Sequence, residues 1–395
     1  MKLPRNVRVF GVASFLTDVH SEIVLPLLPL FVTQALGLPA TFLGFIEGVA
    51  DSSASLVKVG SGWLSDRMRR RKPLIVAGYT LSTIVKPLLA AAFTGWQVMA
   101  IRFGDRVGKG IRSAPRDAAL ADAVPEETRG HAFGFHRAMD TLGAVLGSAI
   151  AYVLMRETDG AYRSIFLWAA LPGVLAVLTL AIFLRESPRP PHAPVSAAAA
   201  PGRPSARLGW FLGIHGLFSL ADFSYAIFLL RAESLGVAPA LIPLVYLVYN
   251  VSYAALPVRA GRLSDRWGRV PVLIAGYALS ALCCLGLALA SAAWMAWALL
   301  ALNGARMAVT STIPRALAAD LSSSARRGTD LGIYHLVVGL AALPASVVAG
   351  LLWDGLGPRA PFLWAAAVSL LALAAIILLR GRISPAKARR RQEIP

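Results

Sequence analysis

The chain has 395 residues, 56% of them hydrophobic and only 15% charged, with a mean hydropathy of +0.62. Soluble proteins carry about 25% charged residues, so this composition excludes an ordinary water-soluble enzyme, and it equally excludes a disordered chain. The net charge of +18 would suggest nucleic acid in a soluble protein, but its placement along this chain points to a lipid bilayer and away from nucleic acid.

About 20 apolar residues cross a bilayer as a helix. On that basis twelve helices are predicted, near residues 9–35, 41–65, 73–93, 96–118, 131–155, 163–185, 208–231, 239–259, 271–291, 294–318, 329–353 and 360–380. The uncharged runs Ser164–Leu184 and Ala360–Leu379 are the clearest. Pro271–Ala305 holds one span, a turn at Ser291–Ala293 and the start of another. None of these runs alternates with period two, which rules against a barrel. Lys and Arg crowd alternate connections, as at Arg67–Lys72, Arg259–Arg269 and Arg380–Arg391, while the opposite loops hold only Arg156, Arg163, Arg231 and Arg359. Basic residues stay on the cytoplasmic side. The expectation is a multi-pass protein of the cell (inner) membrane with both termini cytoplasmic. The first helix carries Asp18, His20 and Glu22 and reads as a retained span, not a cleaved signal.

Buried ionisable residues are costly in a membrane and mark pathways by default. In the first helix Asp18 and Glu22 are four apart and share a face. In the second, Glu47, Asp51 and Lys58 lie on one side. Such a carboxylate can take a proton from one side and release it to the other, can form a static ion pair between helices, or can join a divalent-metal site made of Asp18, Glu22, Glu47 and Asp51. The fourth helix carries Asp105, Lys109, Arg112 and Arg116 at i, i+4, i+7 and i+11, with Arg102 and Arg106 beside them. Lipid will not accept this stripe, so it faces a wet cavity or partner carboxylates. Candidate partners are His136, Arg137 and Asp140 on the fifth helix, and Arg306 and Arg315 come from the other half. Basic groups left over after pairing with Asp105, Asp117 and Asp140 would favour an anionic substrate, and Arg suits carboxylate or phosphate.

Residues 186–206 are rich in Pro, Ala and Ser and read as a cytoplasmic linker. The expected organisation is a six-helix bundle at 1–185, this linker, a second bundle at 207–380 and a basic tail at 381–395. On the seventh helix His215, Ser219 and Asp222 share a face, and on the eighth Tyr246, Tyr249, Asn250 and Tyr253 form a polar aromatic face. That face can line a cavity and stack on a substrate, or can simply pack helices. His335 stands alone and reads as structural. Cys283 and Cys284 are adjacent in an apolar run and form no disulfide framework. No His/Cys cluster has zinc spacing and no phosphate-binding GxxxxGK[ST] loop is present, so no metal, cofactor or ATP site is expected.

The halves repeat one another. GWLSDRMRRRKPLIVAGYTLS at 62–82 matches GRLSDRWGRVPVLIAGYALS at 261–280, Pro115-Arg116 matches Pro314-Arg315, and Asp18 loosely matches Asp222. Repeats with an even number of spans share one orientation, related by an axis along the membrane normal with a cavity between them. The motif Gly-x-Leu-x-Asp-Arg-x-Gly-Arg, intact at Gly261–Arg269 and with Arg69 for Gly at Gly62–Arg70, resembles the signature of the major facilitator superfamily. Pro26-x-x-Pro29 and Arg106-Val-Gly-Lys-Gly110 resemble patterns of its proton-coupled antiporter branch, and Gly143-Ala-Val-Leu-Gly147 matches the antiporter Gly-Pro motif in part, with Ala144 for the Pro.

That resemblance implies an all-α fold of twelve transmembrane helices in two pseudo-symmetric bundles, and a secondary active transporter working by alternating access, not an enzyme. It implies a cytoplasmic gate at Asp66, Arg67, Arg70, Asp265, Arg266 and Arg269, with Gly62 and Gly261 expected to let helices approach. The carried expectation is a monomer moving a small, anionic organic molecule outward in exchange for protons. Asp18, Glu22, Asp140 and Asp222 are candidate proton carriers. Arg106, Lys109, Arg112, Arg137, Tyr246, Tyr249, Asn250 and Arg306 are candidate substrate contacts. A divalent-metal carrier of the same fold is the alternative, and a receptor or a membrane-embedded enzyme the alternative of another class.

Overall fold

The computed structural model describes residues 4–67, 70–124, 129–186, 204–322 and 327–383. Residues 187–203 of the expected linker at 186–206, and residues 384–395 of the expected tail at 381–395, lie outside the described residues. The described chain is helical, and its helices form twelve spans. They are α1 (Arg5–Val24, continued by the short segments Leu28–Leu30 and Phe31–Ala35), α2 (Ala40–Arg67), α3 (Lys72–Val85, continued by Lys86–Ala91), α4 (Gly95–Asp122), α5 (Arg129–Glu157) and α6 (Tyr162–Trp168 and Ala170–Phe183). The second bundle contains α7 (Ala206–Ser219 and Tyr225–Ser234), α8 (Ile242–Ala255, followed by Pro257–Trp267), α9 (Arg269–Leu289), α10 (Ala293–Leu321), α11 (Arg327–Leu356) and α12 (Ala360–Leu378).

Seven of these helices are long and apolar enough on their own to cross a membrane. The remaining spans, α2, α4, α7, α8 and α10, carry ionisable residues or are interrupted. They are held in a membrane by what their polar groups meet inside the protein. Exposed Leu, Ile, Val, Phe and Trp side chains cover the outer surfaces of α6, α9 and α12, as lipid-facing helices require.

Two interruptions were not expected from hydropathy. The first span breaks at Leu25–Leu27, beside Pro26, and resumes in a widened turn over Phe31–Ala35. The seventh span is two half-helices separated by Leu220–Ser224, and the Ser224 hydroxyl caps the second half by accepting from the Ala226 N–H. Mid-membrane breaks of this kind free backbone groups and sit where substrates bind.

The two bundles are closed against each other at the face away from the chain termini, here the distal face. Gln34 donates to Glu233 at 3.1 Å. Asp354 accepts from the Ala40 N–H at 3.0 Å, the Thr41 N–H at 2.7 Å and the Thr41 hydroxyl at 2.6 Å. From there α2 and α11 run in close contact. An added Cβ at Gly350 would lie 2.4 Å from Thr41 Cα, at Gly44 2.1 Å from the Ser346 carbonyl oxygen, and at Gly48 2.8 Å from Leu343 Cα. The seam ends where Ser52 donates to the Gly339 carbonyl at 2.7 Å and Ser55 packs on Gly339. One turn further on, Lys58 and His335 are both exposed, so here the halves part and the space between them opens toward the terminal face.

Candidate functional site

Where the broken α7 meets α2, α8, α10 and α11, a cavity of about 170 Å³ lies between the halves. Asp51, Asp222, Ser224, Tyr225, Tyr249, Asn303 and Arg306 line it. Each half supplies one carboxylate held by an arginine. Asp222, in the gap between the α7 half-helices, accepts from Arg306 at 2.9 Å, and Arg306 is oriented by Asn303 at 2.7 Å. Asp51 on α2 pairs with Arg106 at 3.3 Å. Both arginines are more buried than their partners, with side-chain exposures of 2% against 31% and 11% against 42%, so the carboxylates present a free edge to the cavity.

The α4 stripe resolves into a ladder. Arg102 forks onto Glu47 through Nε and Nη2, both at 2.8 Å, and also reaches Asp105 at 3.3 Å. Lys86, at the end of α3, closes the cluster by pairing with Asp105 at 3.0 Å and donating to Ser21 on α1 at 2.8 Å. Arg106 takes Asp51, and Arg116 takes Asp117 at 2.8 Å. Arg112 is buried over the Tyr79 ring, 4.3 Å from its centroid, and its Nε and Nη1 have no hydrogen-bond partner. Lys109 is exposed and makes no ion pair among the described residues. It lies within electrostatic range of Asp18 and Glu22 on α1, and because lipid does not accept a lone ammonium, its exposed end belongs to a wet interior.

Asp18 and Glu22 are half-buried on the α1 face that packs on α5. The close approach comes from Gly143 and Gly147. A Cβ at Gly143 would stand 2.4 Å from the Phe15 carbonyl oxygen, and one at Gly147 2.8 Å from both the Glu22 Cβ and the Val19 carbonyl oxygen. Small residues four apart let helix backbones meet in this way. Glu22 accepts from Asn250 of the other half at 3.4 Å. On α8 the rings of Tyr246, Tyr249 and Tyr253 stack successively at centroid distances of 5.7 and 6.3 Å, and Tyr225 joins Tyr246 at 5.2 Å.

Some expected partnerships take other forms. Asp140 does not neutralise α4. It accepts from Ser14 and faces His136 Nδ1 at 3.5 Å. Arg137 lies over Tyr253 of the other half, 5.4 Å from the ring centroid. Glu47 and Asp51 are committed to arginines, and among the described residues no group of three His, Cys, Asp or Glu side chains could share a metal ion, so the four carboxylates weighed as a metal site do not form one. Of the expected gate, Asp265 pairs with Arg269 at 2.6 Å, and Arg269 also reaches Asp320 at 3.1 Å, all within one half. Arg70 and Arg266 are exposed, and the side chains of Asp66 and Arg67 lie outside the described residues. Gly261 does not mediate a close helix approach, since an added Cβ there meets nothing within 4 Å.

No pattern in the sequence marks Lys86, whose partner Asp105 is on another helix, or Asn303. Ser224 carried a usable signal, a Ser two residues after Asp222 at the head of a new apolar run.

The chain matches the sequence profile of the Major Facilitator Superfamily over residues 10–214 and again over 210–395. It is 34% identical over 376 residues, 94% of each chain, to an uncharacterised MFS-type transporter of Methanocaldococcus jannaschii. Among solved structures it resembles the nucleoside transporter NupG, with a TM-score of 0.76 at 14% identity over 95% of this chain and 98% of that one. It also resembles a POT family transporter in complex with 5-aminolevulinic acid, with a TM-score of 0.80 at 13% identity over 96% and 97%.

Proposed function

The chain belongs to the major facilitator superfamily, and on that premise we propose that it is a proton-coupled secondary carrier that exports a small organic anion through the space between its two bundles. Residues 1–185 and 207–380 are the two rocking bundles on this reading, joined by the linker at 186–206. The positive-inside distribution makes the terminal face cytoplasmic, so the state described here opens inward.

The observation that carries the reading is Lys109. Every other cation of the α4 stripe is either ion-paired or buried against a ring, whereas Lys109 is exposed and has no ion-pair partner among the described residues. A lone ammonium in such a space favours an anion. Asp18 and Glu22 lie across from it on α1. A carboxylate able to exchange with that ammonium can trade a proton for the substrate. Tyr246, Tyr249 and Asn250 offer stacking and hydrogen bonds to the uncharged part of the molecule. Asp222 and Arg306, locked to each other, shape the distal end of the site.

The test uses purified protein in proteoliposomes and a panel of labelled organic acids. Lys109→Gln should abolish anion flux. Asp18→Asn should abolish flux driven by a pH gradient yet spare exchange of substrate at equal pH. Full anion flux in Lys109→Gln refutes the anion site, and undiminished uphill transport in Asp18→Asn removes that residue from proton coupling.

A further inference from the structure

The cavity at the break in α7 has the wrong sign for an anion. Its two carboxylates come from opposite halves, Asp51 from α2 and Asp222 from the gap between the α7 half-helices. Each is backed by an arginine, and in both pairs the arginine is the buried member and the carboxylate the exposed one. Arg106 is not part of the lining. Arg306 is, but its Nε is committed to Asn303 at 2.7 Å and its Nη1 to Asp222 at 2.9 Å. Both arginines reach the Oδ1 atom of their partner, and neither Asp51 Oδ2 nor Asp222 Oδ2 accepts a hydrogen bond among the described residues. Two carboxylate edges facing one space repel each other, and a cation placed between them offsets that repulsion.

The walls decide which cation fits. Tyr225, Phe228 and Tyr249 line the same cavity, and aromatic rings attract ammonium and guanidinium groups through their faces. A bare metal ion is served less well, since among the described residues no third His, Cys, Asp or Glu converges with these two carboxylates. The cavity also has a fixed relation to Lys109. Arg106, which holds Asp51 at 3.3 Å, is three residues before Lys109 on α4, so Lys109 stands about 4.5 Å further toward the terminal face at 1.5 Å per residue. On the facing side α8 runs in the same direction, with Tyr253 stacked one turn beyond the cavity residue Tyr249 at 6.3 Å.

We propose that the cavity between Asp51 and Asp222 is a subsite for an organic ammonium or guanidinium group, and that the transported molecule is a zwitterion, its cationic end in this cavity and its anionic end at Lys109. The anionic end rests on the reading of Lys109 given above, whereas the cationic end rests on the cavity alone. Each half then contributes one carboxylate to a single charged group, so the cationic end is held by both bundles at once.

The test titrates the full-length protein in detergent, at constant ionic strength, with four probes of one chain length, and follows the thermal midpoint. The probes are caproate, ε-aminocaproate, ε-hydroxycaproate and hexylammonium. Wild type should half-saturate with ε-aminocaproate at a concentration about tenfold lower than with caproate or ε-hydroxycaproate, the advantage of one charged hydrogen bond. Asp51→Asn should lose that advantage, and so should the double variant Asp222→Asn with Arg306→Gln, which leaves no unpaired charge behind. The preference is a ratio taken within each variant, so a change in its resting stability does not enter. Lys109→Gln should weaken caproate and leave hexylammonium binding as it is. If ε-aminocaproate is no better than caproate in wild type while caproate still depends on Lys109, the cation subsite is refuted and the anion site stands. If hexylammonium binds through Asp51 and caproate is indifferent to Lys109, the cation subsite stands and the zwitterion falls with the anion site. If ε-hydroxycaproate matches ε-aminocaproate, the carboxylates take a hydroxyl group and the cation assignment is overturned. A flat response to all four probes overturns both ends.

Discussion

Replacing Glu47 by Gln tests whether the charge ladder of α4 is balanced in the way the structure shows. Glu47 and Asp105 supply two negative charges, Arg102 and Lys86 two positive ones, and the cluster is sealed, with side-chain exposures of 0% for Glu47, 2% for Arg102, 6% for Asp105 and 3% for Lys86. The Gln side chain keeps the shape and an acceptor for the Ser224 hydroxyl, which lies 3.4 Å away across the interface. What it removes is the counter-charge of a forked pair at 2.8 Å. Breaking a buried pair by deleting one partner costs about 3–5 kcal/mol, because the other charge is left uncompensated. In a bundle of this size 1 kcal/mol moves the midpoint by about 2–4 °C, so Glu47→Gln is expected to lower the Tm by about 6–20 °C in detergent. The double variant Glu47→Gln with Arg102→Gln leaves the neutral pair Lys86–Asp105 and is expected to recover at least half of that loss. The measurement is a thermal scan of the wild type, both single variants and the double. A double variant no more stable than Glu47→Gln would refute the claim that charge balance, not packing, governs the cluster.

Two further perturbations follow from the geometry. Asp354→Ala removes three hydrogen bonds that tie α11 to the start of α2 at the distal face, one of them to a hydroxyl and two to N–H groups at a helix N-terminus, where a carboxylate is favoured. With charged hydrogen bonds worth about 1.5–3 kcal/mol each, the variant should shift the balance toward opening at that face, read as faster labelling by a membrane-impermeant maleimide of a cysteine placed at Leu38; unchanged labelling would show that the Asp354 bonds do not hold the face shut. Gly147→Ala puts a Cβ 2.8 Å from Glu22 and from the Val19 carbonyl and should cost about 1–3 kcal/mol by overpacking. Gly134→Ala on the same helix, where an added Cβ meets nothing within 4 Å, should stabilise by about 0.5–1 kcal/mol through helix propensity, and equal effects of the two on Tm would contradict the close α1–α5 crossing.

Hydropathy and charge placement made the spans legible. The fourth helix, expected near 96–118, runs Gly95–Asp122, and the twelfth, expected near 360–380, runs Ala360–Leu378. The α4 stripe was legible as an inward face because lipid rejects it. Its partners were not. Periodicity says which residues share a face, but the rotation and tilt that bring Glu47 to Arg102, or Lys86 to Asp105, depend on how three helices pack together. The break in α7 was invisible for a related reason. Leu220–Ser224 is apolar enough to pass as helix, and its unwinding is sustained by tertiary contacts, the Arg306 pair with Asp222 and the Ser346 hydroxyl accepting from the Ser224 N–H at 3.2 Å. The glycine of the loop motif misled in the opposite direction, since an added Cβ at Gly261 meets nothing within 4 Å while Gly143 and Gly147, in a motif that matches only in part, bring α1 and α5 into close contact.

The halves share a frame but divide the chemistry. Tyr79 and Tyr277 are equivalent positions of the repeat. Tyr79 lies under Arg112, whereas Tyr277 meets the His215 Nδ1 at 2.8 Å in a stack of rings that includes Phe218 and Tyr334. The first half therefore carries most of the interior charge, and the second supplies rings and hydrogen-bonding side chains together with the Asp222–Arg306 pair. On the proposed reading the charged end of a substrate is held by α4 and its uncharged part by α8. Rocking one bundle against the other then separates those two sets of contacts, so the molecule is gripped in full only when the halves are close. A carrier built this way lowers the energy of its closed intermediate with the substrate itself, which is the differential interaction that any ligand-driven change of state requires.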